Sequence, residues 1–447
     1  MTAVQGGEYL TPASVEYDDA RSVFNAMVDR RPAVIAPCTC AADVTAAIRH
    51  ARGHGLEIAV RGGGHSVAGM STTDGGLVVD LRAMSAVDVD VAAHTVRVSG
   101  GATMSHLDRA LEPHGLAAVG GRVSTTGVGG FALGGGTGWL DRKFGLACDN
   151  LLSVDLVTAD GEVVTADEDK NPDLFWALHG GGGNFGVATS LTFRTHELPS
   201  MTACLLLWEP AAGEQVLRAY RDLVESGPDE ASGGAIFLTG PPEEFVPEHL
   251  VGNLTLMVLV TFCGTEADAR SFVAPLLALS PDSEVVMELP YAELQCMLDD
   301  PPGLRNYWSA EHLASFPDEA VSAFTGAVSG MLVPSASQHV LFAAGGAAGR
   351  MQSDYPLPWR AAPWVAHPFA MWTDPEDDER AIGWTRTVRD AIRPWSSGAV
   401  YLNFIGNEGS ERVRAGLGAG NWDRLVTVKR EFDPDNVFRL NHNIAPS

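Results

Sequence analysis

The chain has 447 residues, 45% of them hydrophobic, and its 30 Lys and Arg face 56 Asp and Glu, a formal net charge of −26. This length is enough for two or three domains with buried cores. The negative charge disfavours nucleic acids and anionic membranes as partners, because its long-range field repels both.

The first 200 residues are predicted to mix helices with strands. Apolar residues at Val44, Ala47, Ile48 and Ala51 have the i, i+3, i+4, i+7 spacing of an amphipathic helix. The pattern further predicts strands at 56–60, 76–81, 87–91 and 95–98, a helix at 104–114, a hairpin over 151–165 that turns at 159–161, and a strand at 188–193.

A glycine-rich loop, Arg61-Gly62-Gly63-Gly64-His65-Ser66-Val67, follows the first of these strands. Glycines allow successive backbone N–H groups to turn toward an anion. The arginine before them offers forked donors, and the histidine after them is a nucleophile, base or ligand. An anion cradle beside a reactive nitrogen favours a nucleotide cofactor, whereas a plain turn is the alternative interpretation.

Two more glycine clusters lie at 120–138 and 180–186. Glycine destabilises strand and helix interiors, so such density indicates backbone packed against a ligand. The spacing of Gly127, Gly129 and Gly130 does not match the dinucleotide signature GxGxxG, and no helix pattern follows it. Three separate glycine loops predict a large cofactor with several parts.

The middle of the chain predicts a different architecture. Strands at 204–208, 235–238, 254–263 and 284–289, with helices at 213–227 and 265–279, have the order β-α-β-β-α-β of an antiparallel sheet backed by helices. The sheet is expected to continue through 338–344 and 363–372, before a long helix at 376–392. The tail predicts a strand at 401–405, a helix at 423–432 and an extended segment at 436–444.

Targeting and redox features are few. The longest strongly apolar run, 254–263, is shorter than the roughly 20 residues that span a bilayer. The chain opens without signal-peptide features, which predicts a cytoplasmic protein. Six scattered cysteines indicate reduced thiols, and the pair Cys38 and Cys40 lacks a second pair at zinc-ligand spacing, so we expect no metal site.

Five motifs together resemble a known family. They are RGGGHS (61–66), GGRVSTTGVGGFALGGGTG (120–138), HGGGGNFGV (179–187), YLNF (401–404) and DPDNVFRLNHNI (433–444). In this order they resemble the berberine bridge enzyme-like FAD-linked oxidoreductases of the vanillyl-alcohol oxidase superfamily. The resemblance implies an α+β fold, in which a PCMH-type FAD-binding domain of two subdomains accompanies a substrate domain with an antiparallel sheet backed by helices. The implied divisions are 1–200 for the FAD-binding domain, 201–398 for the substrate domain, and 399–447 for a segment that returns to the first domain with a closing strand.

The resemblance also implies how FAD is held. His65 would be bonded through its imidazole to the 8α-methyl carbon of FAD. Many members add a second link from a cysteine at the position of Val123, which cannot form a thioether, so we expect a single attachment. Cys148 lies too far along the motif to replace it. The other implied cofactor-binding residues are Arg61, Gly62, Gly63, Gly64, Ser66, Thr126, Gly127, Gly129, Gly130, Gly134, Gly135, Gly138, Gly183, Gly186, Val187, Tyr401, Asn403, Asn441 and Asn443.

The same motifs offer candidate catalytic residues. In a strand, Tyr401 and Asn403 would share one face and could both look toward the flavin, with Tyr401 as base; packing at the domain interface is the alternative role. Gln352 and Asp354 precede Pro-Trp-Arg where plant members have Pro-His-Arg, which makes them further candidates. Tyr307 and His367 are expected in the core or at the rim.

The implied activity is removal of a hydride from an alcohol, amine or related carbon of a small molecule, for example a natural-product intermediate of secondary metabolism, with reoxidation by dioxygen. Two alternatives stay open. A dehydrogenase of the same fold would use another electron acceptor, and a flavin-retaining protein without net redox chemistry would oxidise nothing. The substrate and the oligomeric state cannot be read from the sequence.

Overall fold

The computed structural model describes residues 8–198, 200–351 and 353–447. The N-terminal half has ten strands: β1 (Val34–Pro37), β2 (Ile58–Arg61), β3 (Leu77–Asp80), β4 (Val87–Asp90), β5 (Thr95–Ser99), β6 (Leu116–Ala117), β7 (Leu151–Val157), β8 (Val163–Ala166), β9 (Val187–Arg194) and β10 (His196–Glu197). Its helices are α1 (Tyr17–Arg21), α2 (Ala41–His54), α3 (Met104–Leu111), α4 (Val128–Leu133), α5 (Asp141–Phe144) and α6 (Pro172–Ala177).

These strands form two main sheets and a small ribbon. The first sheet is parallel, with the order β1-β3-β2, and helix α2 packs on it through Val44, Ala47 and Ile48. The second is antiparallel, with the order β4-β5-β9-β7-β8, and β6 pairs with β10. The glycine loops leave the ends of strands and helices of this half.

The middle of the chain contributes one large sheet. Its strands are β11 (Met201–Trp208), β12 (Ala231–Thr239), β13 (Leu254–Phe262), β14 (Ser283–Leu289), β15 (Arg305–Trp308), β16 (Glu311–Leu313), β17 (Gln338–Ala343) and β18 (Trp364–Trp372). Its helices are α7 (Gly213–Glu225), α8 (Glu266–Leu277), α9 (Tyr291–Leu294), α10 (Asp318–Gly326), α11 (Gly346–Arg350) and α12 (Asp378–Ile392). The strand order is β14-β11-β13-β12-β17-β18-β15, all antiparallel, and β16 also pairs with β18.

The two faces of the large sheet pack against different partners because side chains alternate along a strand. On β13, Leu256, Val258 and Val260 join a core with helices α7, α8 and α10. Met257 and Leu259 point the other way, into a core shared with the N-terminal half. The sheet is therefore closed by helices on one face and turns its other face toward the glycine loops.

Most predicted elements are confirmed, including the β-α-β-β-α-β order and the hairpin of β7 and β8. Two predictions are wrong. A helix, α4, does begin within the second glycine cluster, because buried Val128, Phe131 and Leu133 anchor it despite the glycines. The tail has no strand at 401–405: residues Leu402–Phe404 form a 3-10 turn, so the expected closing strand is absent from the part of the tail that the structure describes.

The C-terminal segment folds as α13 (Ser410–Leu417) and α14 (Trp422–Phe432), after which the chain runs back along the N-terminal half. Lys429 and Asp433 form an ion pair of 2.6 Å in which both side chains are wholly buried. The ammonium also donates to the carbonyls of Asn184 and Phe438, and the carboxylate accepts from the backbone of Val437 and Phe438. This pair ties the last motif to the third glycine cluster.

We expect Lys429→Met to destabilise the fold by about 3 kcal/mol, because it leaves the Asp433 carboxylate buried without its partner. Urea unfolding followed by circular dichroism would measure the loss. The double variant Lys429→Met/Asp433→Asn should recover part of it, since it removes the orphaned charge; a single variant as stable as the wild type would contradict this role.

Within the described residues, none of the helices is long and apolar enough to cross a membrane.

Candidate active site

A large cavity lies between the glycine loops and the open face of the large sheet. Its volume is about 360 Å³, within the roughly 300–1,000 Å³ of ordinary ligand pockets. All three glycine clusters, the sheet strands β15, β17 and β18, and the C-terminal tail contribute to its wall. The cavity therefore extends from the glycine loops to the sheet, as a ligand with several parts requires.

The first two glycine loops meet with their backbones in contact. A Cβ atom on Gly63 would lie 2.3 Å from the Gly127 nitrogen, and one on Gly127 would lie 2.4 Å from the Gly63 nitrogen. Gly64 has a φ of 76°, in the left-handed region that favours glycine. The absence of side chains here forms a smooth cradle of backbone N–H groups, which fits an anionic, flat ligand such as a flavin dinucleotide.

His65 stands at the edge of this cradle. Its ring stacks on Phe24 with centroids 4.1 Å apart, and its Nε2 is 2.7 Å from the Thr125 hydroxyl oxygen. Burial lowers the pKa of His65 to about 4, opposed by the charge of Asp299. The imidazole is therefore neutral at pH 7. In the tautomer whose Nε2 carries the proton and donates to the Thr125 hydroxyl, the lone pair of Nδ1 is left for another partner.

On the expectation from the sequence that flavin is bonded to His65, Thr125→Val should slow this attachment by roughly tenfold, the effect of losing one hydrogen bond of about 1.4 kcal/mol. The variant cannot hold the ring through Nε2. Attachment would be followed as acid-stable absorbance after FAD is added to the apoprotein. Thr125→Ser keeps the hydroxyl and should attach flavin at the wild-type rate; equal rates for all three proteins would contradict the prediction.

Tyr401 and Asn403 are brought together at the cavity wall by the 3-10 turn, not by a strand. The Asn403 Nδ2 donates to the Tyr401 hydroxyl oxygen at 2.9 Å and to the Gly130 carbonyl at 3.1 Å. Tyr401 is 1% exposed and donates its own proton to the Phe131 carbonyl at 3.3 Å. Burial raises the pKa of Tyr401 above its ordinary value, which disfavours a tyrosinate. This geometry suits a pair that fixes a ligand more than it suits a base.

Most of the residues predicted to contact FAD line the cavity. They are Gly62, Gly63, Gly64, His65, Ser66, Thr126, Gly127, Gly129, Gly130, Gly134, Gly183, Gly186, Val187, Tyr401, Asn403 and Asn441. Val123, the position of the missing second-link cysteine, lines it as well.

Four predicted residues lie outside the cavity wall. Arg61 is 2% exposed, and its guanidinium binds the Asp80 carboxylate at 2.7 Å, so it does not reach into the cavity. Gly135 packs against Trp359, and Gly138 lies so close to the Gly120 carbonyl that its Cβ would be 1.8 Å away. Asn443 is not among the residues that line the cavity. These positions shape the loops and do not offer a surface to a ligand.

The other candidate catalytic residues that the structure describes do not line the cavity. Asp354 is exposed and paired with Arg424 at 2.9 Å, away from the cavity. His367 is buried behind the wall, stacked on Phe369 at 3.7 Å. Tyr307 accepts a hydrogen bond from Arg386 and does not line the cavity. Gln352 lies outside the described residues.

The sequence did not predict the aromatic wall of the cavity. Trp308, Phe342, Phe369 and Phe404 form an aromatic surface of the cavity, joined by Met371 and Gln338. Arg122 also lines it, with its guanidinium 4.2 Å over the Phe342 ring. The available signal was the charge of Arg122 inside a glycine cluster; the aromatic residues could not be told from an ordinary core. Among the described residues, no group of three or more His, Cys, Asp and Glu could hold a metal ion.

Comparisons with known proteins agree with this geometry. A family model described as "FAD binding domain" matches residues 32–167, and one described as "Berberine and berberine like" matches residues 400–445. The chain is 32% identical to (R)-6-hydroxynicotine oxidase of Paenarthrobacter nicotinovorans, covering 98% of this chain and 97% of that protein.

Two solved structures share the fold over nearly the whole chain. The crystal structure of 6-hydroxy-D-nicotine oxidase from Arthrobacter nicotinovorans superposes with a TM-score of 0.89 and 29% identity, covering 100% of this chain and 99% of that one. The wild-type BBE-like 1 protein of Physcomitrella patens superposes with a TM-score of 0.88 and 25% identity, covering 99% and 98%.

Proposed function

The chain belongs to the berberine bridge enzyme-like FAD-linked oxidoreductases, and from this premise we propose that it is an oxidase with FAD attached to His65 alone. The observation that carries the proposal is a glycine-walled cavity with a neutral imidazole at its edge and an aromatic wall, whose Trp308 reaches His65 through the ring of Phe24. Val123 offers no sulfur for a second link. We assign the FAD-binding unit to residues 1–200 and 399–447 and the substrate unit to 201–398.

FAD, when bound, supplies the hydride acceptor. The residues of the chain hold and orient the reactants: the glycine loops bind the dinucleotide, and the aromatic wall excludes water and packs on the substrate. Asn403 and Tyr401 form one polar point of the wall, where a substrate hydroxyl or amine can hydrogen-bond. In the overall reaction the substrate loses a hydride and a proton, and dioxygen takes up two electrons and two protons to become hydrogen peroxide.

An oxygen electrode coupled to a peroxide assay tests this function over a panel of small alcohols and amines. We expect one hydrogen peroxide for each dioxygen consumed, with the best substrates aromatic. Reduction of a dye under argon without oxygen uptake in air would contradict the oxidase and favour the dehydrogenase. Bound flavin that no substrate reduces would contradict redox catalysis altogether.

A further inference from the structure

Arg122 is a buried cation on the aromatic wall that the proposed function does not use. Its side chain is 8% exposed. Nη1 and Nη2 donate to the carbonyls of Thr137 and Gly138 at 3.3 and 2.8 Å, while Nε has no partner among the described residues. The guanidinium packs over the rings of Phe342 and Trp139, at 4.2 and 4.9 Å. It is thus held rigidly at the aromatic end of the cavity.

The charges around Arg122 do not balance. Its nearest carboxylate is Asp141, 3.9 Å away, whose oxygen already accepts from Thr137 and Gly138. A second buried guanidinium, Arg142, donates only to backbone carbonyls, those of Ala231, Ala344 and Val224. Asp229 lies within the field of Arg142, but it is paired with Arg350.

Arg122 on the cavity wall and Arg142 behind it therefore share the one carboxylate of Asp141, so the charge of Arg122 beside the cavity is only partly compensated. An uncompensated buried charge is costly unless a ligand brings the opposite charge. The acidic residue of the cavity wall, Asp300, does not fill this role. The charge that acts on the Asp300 carboxyl is that of Asp299, the residue before it in the chain. The charge of Asp299 also acts on His65.

We propose that Arg122 selects substrates that carry an anionic oxygen, a carboxylate or a phenolate, on an aromatic framework. The inference rests on the proposed function, because the proposed function is what assigns the aromatic end of the cavity to the substrate. A guanidinium matches the two oxygens of a carboxylate, and Trp308, Phe369 and Phe404 offer faces and edges to a ring. The same charge repels an ammonium, so cationic amines are poor ligands.

Titration of the purified flavoprotein with benzoate, benzamide and benzylamine tests the inference, because the three differ mainly in charge. Binding would be followed by calorimetry and by perturbation of the flavin spectrum. We expect benzoate to bind at least tenfold more tightly than benzamide, and benzylamine to bind most weakly. Arg122→Met should abolish the preference for benzoate, and Arg122→Lys should retain part of it.

A second variant keeps the inference testable where Arg122→Met does not fold. Asp141→Asn removes the neutralising carboxylate, so its affinity for benzoate should rise while that for benzamide stays the same. Equal binding of benzoate and benzamide to FAD-loaded wild-type protein would overturn the inference and leave the oxidase proposal standing. Failure of the proposed function would be seen in different measurements, as a protein without bound FAD or without oxygen uptake.

Discussion

Replacing His65 with Ala is expected to remove all flavin that survives acid precipitation, whereas FAD should still bind without a covalent link. The His65 imidazole stands at the cradle edge and is neutral at pH 7, whereas the other imidazole of the wall, His442, has its Nε2 engaged with the Leu402 carbonyl at 2.9 Å. Val123, the alternative attachment point, has no sulfur. The washed acid pellet of the wild type should be yellow and that of the variant colourless.

The reduction potential gives a second measurement on the same variant. A covalent 8α bond raises the potential of a flavin, so His65→Ala should be reduced at a lower potential and turn over more slowly. His54→Ala is a matched control, because His54 is exposed at the end of α2, outside the cavity. A yellow pellet from His65→Ala would show that the attachment is elsewhere.

Gly63→Val is expected to abolish FAD binding and to lower the free energy of unfolding by about 4–5 kcal/mol, at the upper end for overpacking. A Cβ at this position would lie 2.3 Å from the Gly127 nitrogen and 2.8 Å from its Cα, and backbone atoms cannot rotate away. The two loops would have to separate, which destroys the cradle. Flavin content per protein and urea unfolding measure both effects.

Gly53→Ala is the matched control for Gly63→Val. Gly53 lies in helix α2 with open space where a Cβ would be. Alanine should stabilise that helix by about 0.5–1 kcal/mol and leave flavin content unchanged. A Gly63→Val protein that purifies yellow, with wild-type stability, would contradict the cradle.

The glycine loops were predictable because a missing side chain is visible in a sequence, and glycines at such density destabilise a fold unless their backbone meets a ligand or another backbone. The pairing of Arg61 was not predictable. In the parallel pair of β2 and β3 the register places Arg61 opposite Asp80, 19 residues away, and that carboxylate holds the guanidinium out of the cavity. Only the strand register, which the sequence does not show, decides between a ligand contact and a structural ion pair.

The strand predicted in the tail was wrong and the aromatic wall was not predicted, for related reasons. Tyr401, Leu402 and Asn403 alternate like a strand, yet the Phe404 nitrogen donates to the Tyr401 carbonyl and closes a tight turn. On β17, Leu341 packs into the helix-covered core while Phe342 faces the cavity. Both residues are apolar, so hydrophobicity alone could not show which face of the sheet meets a ligand.

The most direct test of flavin attachment is a peptide map of the acid-denatured wild-type protein by mass spectrometry. We expect the peptide containing His65 to gain the mass of one FAD and the peptide containing Val123 to gain nothing. An unmodified His65 peptide, or flavin on any other peptide, would contradict the claim that the imidazole at the edge of the glycine cradle holds the cofactor.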